Sequence, residues 1–348
     1  MKKIIIILAT FVLLSIGGIF YLNFLLSEKE NILVGEKPVI IGFSLGSIRE
    51  ERWFKDRDLF IEKAQELGAV VNVALSDYDV QKQISQIENF ISQGVSVIVI
   101  LPADSEKLSE VIDKAKKSGV KIIAYDRLIK NSDIDLYISF DNVRVGELEA
   151  ESVLSVVDKG NFAYIGGSPK DNNSILLKEG SMNILRSKIE NGDINLVIDD
   201  FTDDWSPTVA YKKIKDYLDS GGSLAAVIAA NDGVASGVIQ ALKEKDLDKT
   251  IPVSGQDAEL SAIQRIVTGS QIATVYKPIN SLAYTAAQIA VDMAKGLAIE
   301  TNSLISNGKV MVPARLLLPI KVDKNNITET VIKDGFHAYK DVYQSLNQ

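Results

Sequence analysis

From Pro38 onward, short apolar segments alternate with longer amphipathic ones, and this alternation constrains the fold more than any other feature of the sequence. The segment Val95–Leu101 is rich in β-branched residues and apolar on both faces, which is typical of a buried strand in a parallel sheet. The segment Glu50–Leu67 has helical periodicity and ends at Gly68, a common residue just after a helix. Because parallel strands need long, usually helical, connections, the alternation predicts an α/β fold. Right-handed crossovers then place the carboxyl ends of the strands at one edge.

The pattern restarts after Asn142, so the sequence predicts two mostly parallel sheets in series. The chain has 348 residues, a length that suits two domains of ordinary size. No short repeat indicates a solenoid. We therefore expect two α/β lobes with helices on both faces of each sheet. The predicted strands are Val39–Phe43, Val70–Leu75, Val95–Leu101, Val120–Ile123 and Leu136–Phe140, then Phe162–Ile165, Leu196–Ile198, Leu224–Ala229, Val253–Gly255 and Ile272–Tyr276, with a last apolar run at Arg315–Lys321.

The first 26 residues precede this pattern and form an apolar run that begins after two lysines. Lys2 and Lys3 come before the run, and the next charged residue is Glu28. About twenty apolar residues can span a bilayer, and flanking lysines tend to stay on the cytoplasmic side. No small-x-small cleavage site follows, so we expect residues 1–26 to remain as a membrane anchor and residues 27–37 to form a linker. A cleaved signal peptide is the alternative.

Polar side chains collect directly after the predicted strands, where ligands bind in open α/β sheets. Asp126 and Arg127 follow one such strand, and an acid beside a guanidinium can hold adjacent hydroxyls of a small polyol. An exposed ion pair is the alternative. Each cluster could also consist of ordinary loop residues or helix caps, and Asp232 in particular could be an N-cap. The further clusters are Gly166–Asn173, Asn231-Asp232, Gly255–Asp257 and Lys277-Pro278.

The two tryptophans of the chain lie beside the same edge. Trp53 opens the first helix next to Arg52, and Trp205 precedes the helix that begins at Pro207. Indole rings can stack on the apolar faces of a pyranose, whose hydroxyls need polar partners. These residues therefore predict a single neutral sugar as ligand. Core packing of both tryptophans and solvent exposure of Arg52 are the alternatives.

Composition excludes several classes of protein. The chain has no cysteine and one histidine, so cysteine nucleophiles and thiolate zinc sites are excluded and a His-rich site has little basis. A net charge of −8 without a basic block disfavours nucleic acid as a partner. Neither a dinucleotide-binding nor a P-loop motif is present. Asp126 and Asp257 could be a glycosidase pair, but we favour a non-enzymatic binding protein without cofactor or metal.

Seven short motifs are spread from Val39 to His337. They are ERWFKDRD (51–58), AYDRLI (124–129), DLYISFDN (135–142), GGSPKDNN (166–173), SGQDAEL (254–260), TVYKPI (274–279) and VIKDGFH (331–337). Together they resemble the periplasmic D-xylose-binding proteins, which are sugar receptors of the type I periplasmic binding protein superfamily. The resemblance implies two lobes joined by three crossovers, with a sugar held between them.

The resemblance also implies lobe boundaries and ligand-binding residues. The N-terminal lobe would comprise residues 38–141 and 278–314, and the C-terminal lobe residues 142–277 and 315–348. The implied ligand-binding residues are Arg52, Trp53, Asp126 and Arg127 in the first lobe, Asp171, Asn173, Trp205, Asn231 and Asp257 in the second, and Lys277 at a crossover. These ligand-binding residues coincide with the polar clusters after the predicted strands and with the two tryptophans.

We therefore expect a membrane-tethered, extracytoplasmic receptor that binds D-xylose or a close pentopyranose and signals by lobe closure. Tethering raises the effective concentration of a membrane partner, which favours a sensor histidine kinase of a two-component system. Delivery of the sugar to an ABC permease is the alternative. A LacI-type repressor would need a helix-turn-helix where the apolar run stands, and an α/β enzyme is a more remote alternative.

Overall fold

The computed structural model describes residues 38–48 and 52–343. The predicted anchor and linker lie outside these ranges. Within them, none of the helices combines the length and the apolar composition that a membrane span needs. Residues from Val39 onward belong to one compact unit.

Strands and helices alternate along the described residues, as the sequence predicts. The strands are β1 (Ile40–Leu45), β2 (Val70–Leu75), β3 (Val97–Leu101), β4 (Lys121–Tyr125), β5 (Leu136–Phe140), β6 (Gly160–Gly166), β7 (Ile194–Phe201), β8 (Ala226–Ala229), β9 (Val253–Ser254), β10 (Ala273–Tyr276), β11 (Ser303–Ser306), β12 (Met311–Leu317) and β13 (Ile320–Asp323). The helices are α1 (Arg52–Glu66), α2 (Val80–Ser92), α3 (Ser109–Lys117), α4 (Asn142–Leu154), α5 (Asn172–Glu190), α6 (Pro207–Asp219), α7 (Asp232–Lys243), α8 (Leu260–Thr268), α9 (Ile279–Ala294) and α10 (Tyr339–Tyr343).

The first lobe is built on a seven-stranded sheet with the order β11-β12-β5-β4-β3-β1-β2. All neighbours pair in parallel except β11, which pairs antiparallel with β12. Strand β3 lies in the interior of this sheet, between β4 and β1, and is buried on both faces. Val97 and Val99 face a core that contains residues of α1 and α9, whereas Ile98 and Ile100 face a core that contains residues of α2 and α3. The sheet is therefore covered by helices on both sides.

The second lobe contains a four-stranded parallel sheet with the order β7-β6-β8-β9. Helices α6 and α7 contribute to the core on one face, and α4 and α5 to the core on the other. Strands β10 and β13 form a separate antiparallel pair, and Gln256 forms a parallel bridge with Val275 that links β10 to the end of β9. The predicted two-lobed α/β class is confirmed by this architecture.

One predicted element is divided in the structure. The apolar run Arg315–Lys321 belongs partly to β12, which pairs with β5 as far as Leu317, and partly to β13, which pairs with β10. The chain passes from one sheet to the other at Leu318-Pro319. Because the end of β12 and the start of β13 are both apolar and only two residues apart, the sequence shows a single apolar run. We therefore propose to move the last lobe boundary from 314/315 to this dipeptide. The chain also passes from the first lobe to the second after β5, and back to the first lobe after β10. With the passage at Leu318-Pro319, the two lobes are joined by three crossovers.

Candidate functional site

A small cavity is lined by residues that follow strands of both lobes. Nine of the ten predicted site residues line it, and Gln256 joins them. Arg52 is not part of the lining but lies behind it, in ion pairs with two carboxylates of the lining. All ten predicted residues are at most 7% exposed. The structure thus brings together the polar clusters that the sequence places at separate strand ends. The lining residues are Trp53, Asp126, Arg127, Asp171, Asn173, Trp205, Asn231, Gln256, Asp257 and Lys277.

Two of the lining residues are fixed because they cap helices. Asp171 precedes α5, and its Oδ1 accepts a hydrogen bond from the backbone N–H of Asn173 at 2.9 Å. Asn231 precedes α7, and its Oδ1 accepts one from the N–H of Val234 at 2.8 Å. Such caps satisfy backbone donors that have no partner within the helix. The alternative that Asp232 is the N-cap is wrong, since Asn231 has this role and Asp232 is the first helical residue.

The Asp126 backbone adopts a left-handed conformation with φ +61°. The conformation is stabilised by three hydrogen bonds to the Asp126 carbonyl, from the Tyr137 hydroxyl at 3.1 Å, the Ser139 hydroxyl at 2.6 Å and the Asn173 amide at 3.1 Å. Strained backbone of this kind persists where the surrounding structure determines it, often at functional sites. The alternative of an exposed Asp126–Arg127 ion pair is wrong, because both side chains are buried and Arg127 pairs with Asp171 instead.

Arg52 connects carboxylates of both lobes. Its Nε lies 3.2 Å from Asp56, its Nη2 lies 3.0 Å from Asp126, and its Nη1 lies 3.6 Å from Asp257. Burial lowers the pKa of Arg52, but attraction to these three carboxylates outweighs it and holds the pKa above its ordinary value. Burial raises the pKa of Asp126, but Arg52, Lys277 and Arg127 hold it below its ordinary value. Both groups are therefore charged, and the alternative of a solvated Arg52 is wrong.

Two further ion pairs complete the charged lining. Arg127 Nε lies 2.7 Å from Asp171 Oδ2, which also accepts a hydrogen bond from Trp205 Nε1 at 3.2 Å. Lys277 Nζ lies 2.9 Å from Asp257 Oδ1. The Arg127–Asp171 pair joins the first lobe to the second.

The two indole rings are held in different ways. Trp53 belongs to the core of the first lobe and also lines the cavity, and the guanidinium of Arg52 lies 4.3 Å from its ring. Trp205 packs its ring against Gly167, where a Cβ atom would come within 2.4 Å of the ring. Only glycine at position 167 permits this approach, which explains the second of the two glycines before Ser168. Both rings therefore combine core packing with a place in the cavity wall.

Several polar atoms around the cavity have no hydrogen-bond partner among the described residues. They include Asp126 Oδ2 and Asp257 Oδ1, which are in ion pairs, and Gln256 Oε1, which is not. Buried polar atoms in native proteins nearly always have a partner. With cations and carboxylates in near balance, the cavity suits a small neutral molecule that both donates and accepts hydrogen bonds. Within the described ranges, no group of acidic or histidine side chains could hold a metal ion.

Sequence reasoning missed two features of the site. Gln256 belongs to a recognised polar cluster, but an amide between a glycine and an aspartate gives no distinct signal. Asp56 lies behind the cavity, bonded to Arg52 and to the hydroxyl of Tyr125. Its spacing of four residues from Arg52 on a helix was a usable signal for an ion pair.

Comparison with known proteins agrees with this geometry. A model of the periplasmic binding protein domain matches residues 41–298. The D-xylose-binding periplasmic protein of Haemophilus influenzae is 49% identical over 308 residues, which cover 88% of this chain and 93% of that protein. The D-xylose-binding periplasmic protein of Escherichia coli is 47% identical with the same coverage.

Solved structures of lower identity share the fold. An ABC transporter solute-binding protein from Clostridium phytofermentans with bound β-D-glucose matches with a TM-score of 0.81 at 29% identity, covering 87% of this chain and 99% of that one. A carbohydrate transporter solute-binding protein from Chloroflexus aurantiacus in complex with D-glucose matches with a TM-score of 0.80 at 28% identity, covering 88% and 98%.

The sequence-based resemblance to the D-xylose-binding proteins is therefore confirmed. The prediction of a non-enzymatic protein is also confirmed, because these relatives are solute-binding proteins. The chain belongs to the periplasmic binding protein family.

Proposed function

We propose that this protein binds D-xylose, or a close pentopyranose, in the cavity between its lobes and delivers it to an ABC permease. The observation that carries the proposal is the cavity between the lobes, whose lining combines buried carboxylates, cations and amides with two indole rings. The ten residues predicted from the sequence, with Arg52 behind the lining, form the proposed sugar site.

The chemistry of the lining supports a sugar over an ion. Carboxylates can accept hydrogen bonds from hydroxyls, and Lys277 and the guanidinium groups can donate to them. An anionic ligand would be repelled by Asp126, Asp171 and Asp257, which all line the cavity. A cation would be repelled by Arg127 and Lys277. A polyol satisfies both kinds of group without adding charge.

A pentopyranose is smaller than a hexopyranose by one substituent. A hexopyranose carries a hydroxymethyl group at C5 that a pentopyranose lacks, and we expect the closely packed wall to leave no room for that group. The D-xylose names of the relatives at 47–49% identity support the same choice.

Contacts across the lobes support closure as the response to the ligand. Besides the Arg127–Asp171 pair, the Ser105 N–H donates to the Lys170 carbonyl at 3.3 Å, and the Ser105 hydroxyl accepts from the Asn172 N–H at 3.3 Å. Ligand contacts drawn from both lobes favour the closed state by their differential free energy. A membrane partner can then distinguish the closed receptor from the open one.

The permease is a better-supported partner than the sensor kinase favoured from the sequence. The solved structures that match at TM-scores of 0.80–0.81 are described as solute-binding proteins of transporters, which supports a permease as partner. We also infer a location outside the cytoplasm, from the periplasmic relatives. The membrane anchor over residues 1–26 stays a prediction, and mass spectrometry of the mature N-terminus would test it.

A thermal-shift screen against pentoses and hexoses tests the proposal. A ligand at 100 times its dissociation constant adds about 2.7 kcal/mol to the free energy of unfolding. We expect D-xylose to raise the melting temperature and D-glucose to raise it far less. Equal shifts with both sugars, or none with any pentose, would contradict the proposed ligand.

A further inference from the structure

Gln256 lies in the cavity wall, beside Asp257, and its side chain has no evident structural role. The residue is 2% exposed. Its amide makes no side-chain hydrogen bond within the part of the chain that the structure describes, and Oε1 is buried without a partner. A buried amide oxygen without a hydrogen-bond partner destabilises the folded state, so a position that retains one calls for an explanation.

The backbone around Gln256 is held firmly. The Gln256 carbonyl accepts a hydrogen bond from the Asp232 N–H at 3.0 Å, and the Asp257 N–H donates to the Val275 carbonyl at 2.9 Å. The next two residues, Asp257 and Ala258, both have positive φ values, +88° and +52°. Non-glycine residues adopt this conformation rarely, and here hydrogen bonds to β10 support it. Gln256 is therefore presented to the cavity by a rigid turn.

The other two amides of the lining are already engaged by protein groups. Asn231 Oδ1 caps α7 through the Val234 N–H. Asn173 Oδ1 accepts from Asn142 Nδ2 at 3.0 Å, and Asn173 Nδ2 donates to Asp126 Oδ1 at 3.0 Å. Among the three amides that line the cavity, Gln256 is the one whose oxygen has no partner in the described residues. The Gln256 amide oxygen is therefore a neutral hydrogen-bond acceptor, whereas the carboxylates around it are charged.

We propose that Gln256 is a specificity-determining residue that accepts a hydrogen bond from one hydroxyl of the bound sugar. The proposal rests on the proposed sugar-binding function and extends it to a residue that lies within the motif SGQDAEL but is not among the ten predicted ligand-binding residues. Its amide fixes the position of that hydroxyl relative to Asp257. A sugar without the hydroxyl, or with it inverted, leaves the buried oxygen unsatisfied and binds less tightly.

Calorimetry with xylose and its monodeoxy analogues tests this role. Gln256→Met keeps the side-chain length and removes the amide, and Gln240→Met is a matched control at an exposed position on α7. We expect Gln256→Met to weaken xylose binding by about tenfold, which corresponds to about 1.4 kcal/mol. We also expect one deoxy sugar to bind this variant as tightly as xylose does, although the same deletion weakens binding to the unmodified protein.

Two outcomes would overturn the proposal. One is unchanged xylose affinity in Gln256→Met. The other is a set of deoxy-sugar penalties equal to those of the unmodified protein, because an indirect structural effect would weaken all sugars alike. Gln256→Leu gives a second apolar variant if the methionine variant does not fold. An unmodified protein that binds a different sugar would contradict the xylose proposal instead, and the same comparison with that sugar still tests Gln256.

Discussion

At the scale of single residues, the site side chains have structural partners as well as proposed ligand contacts. Asp171 caps α5, pairs with Arg127 and accepts from Trp205, so three parts of the cavity wall depend on one carboxylate. A polar residue after a strand can therefore be both a helix cap and a site residue. For this reason the sequence, considered one residue at a time, does not distinguish loop and cap residues from ligand-binding residues.

Asp257 gives the first residue-scale prediction. Its Oδ1 lies 2.9 Å from Lys277 Nζ and has no hydrogen-bond partner among the described residues. A charge-assisted hydrogen bond to a sugar hydroxyl is worth roughly 1.5–3 kcal/mol. We expect Asp257→Asn to weaken xylose binding by at least about tenfold, measured by calorimetry. Asp246→Asn, at an exposed position that also has positive φ, is the control and should bind normally.

Glu149 gives a prediction about pH. It is fully buried on α4, and neither carboxylate oxygen has a hydrogen-bond partner within the described ranges. Burial raises the pKa of Glu149 well above its ordinary value, against the attraction of Lys277. The unfolded chain loses this proton near pH 4.3, whereas the folded chain keeps it to higher pH. The free energy of unfolding should therefore fall as the pH rises from about 4.3 through the raised pKa.

Urea unfolding at pH 5 and pH 8 measures this effect. We expect Glu149→Gln to lose less stability between the two values than the unmodified protein, because the amide cannot ionise. Some pH dependence should remain, since burial also raises the pKa of Asp232, to about 7. The exposed Glu190→Gln should behave like the unmodified protein. Identical pH dependence in Glu149→Gln and the unmodified protein would show that Glu149 ionises normally in the folded state.

At the scale of elements, most strands and helices were predictable because each buried strand is a short β-branched run between helical segments. Strand β11 was missed: it is a four-residue edge strand whose sequence, SLIS, has two apolar residues between two serines and shows no strand periodicity. The division between β12 and β13 was also missed, because the two strands are adjacent and both partly buried. Pairing partners in different sheets decide that boundary, and those contacts are not local in sequence.

The contact between α4 and α5 gives a prediction at this scale. A Cβ atom at Gly180 would lie 2.0 Å from the Val143 carbonyl oxygen, so the two helix backbones meet directly there. Gly180→Ala must separate the helices, and overpacking of this kind costs about 1–3 kcal/mol. Chemical denaturation should show this loss, whereas Gly233→Ala on α7, where the nearest atom is 3.5 Å away, should be tolerated. Equal stability of Gly180→Ala and the unmodified protein would contradict the close packing.

At the scale of the whole molecule, the fold places the site by topology. The carboxyl ends of the strands carry the polar residues, and the three chain crossings link two lobes that both contribute residues to the wall. Strand order and handedness follow from general rules, so the sequence was sufficient to predict where the polar clusters would meet. The ion-pair partners were not predictable, because Arg52–Asp257 and Arg127–Asp171 join residues from different lobes.

A crystal structure of the protein with D-xylose tests the central claim most directly. We expect one pyranose in the cavity between the lobes, with hydroxyls hydrogen-bonded to Asp126, Asp257 and Lys277 and an apolar face against an indole ring. We also expect the Arg127–Asp171 pair to be present across the closed lobes. A cavity without sugar at saturating xylose, or a sugar bound outside it, would contradict the account.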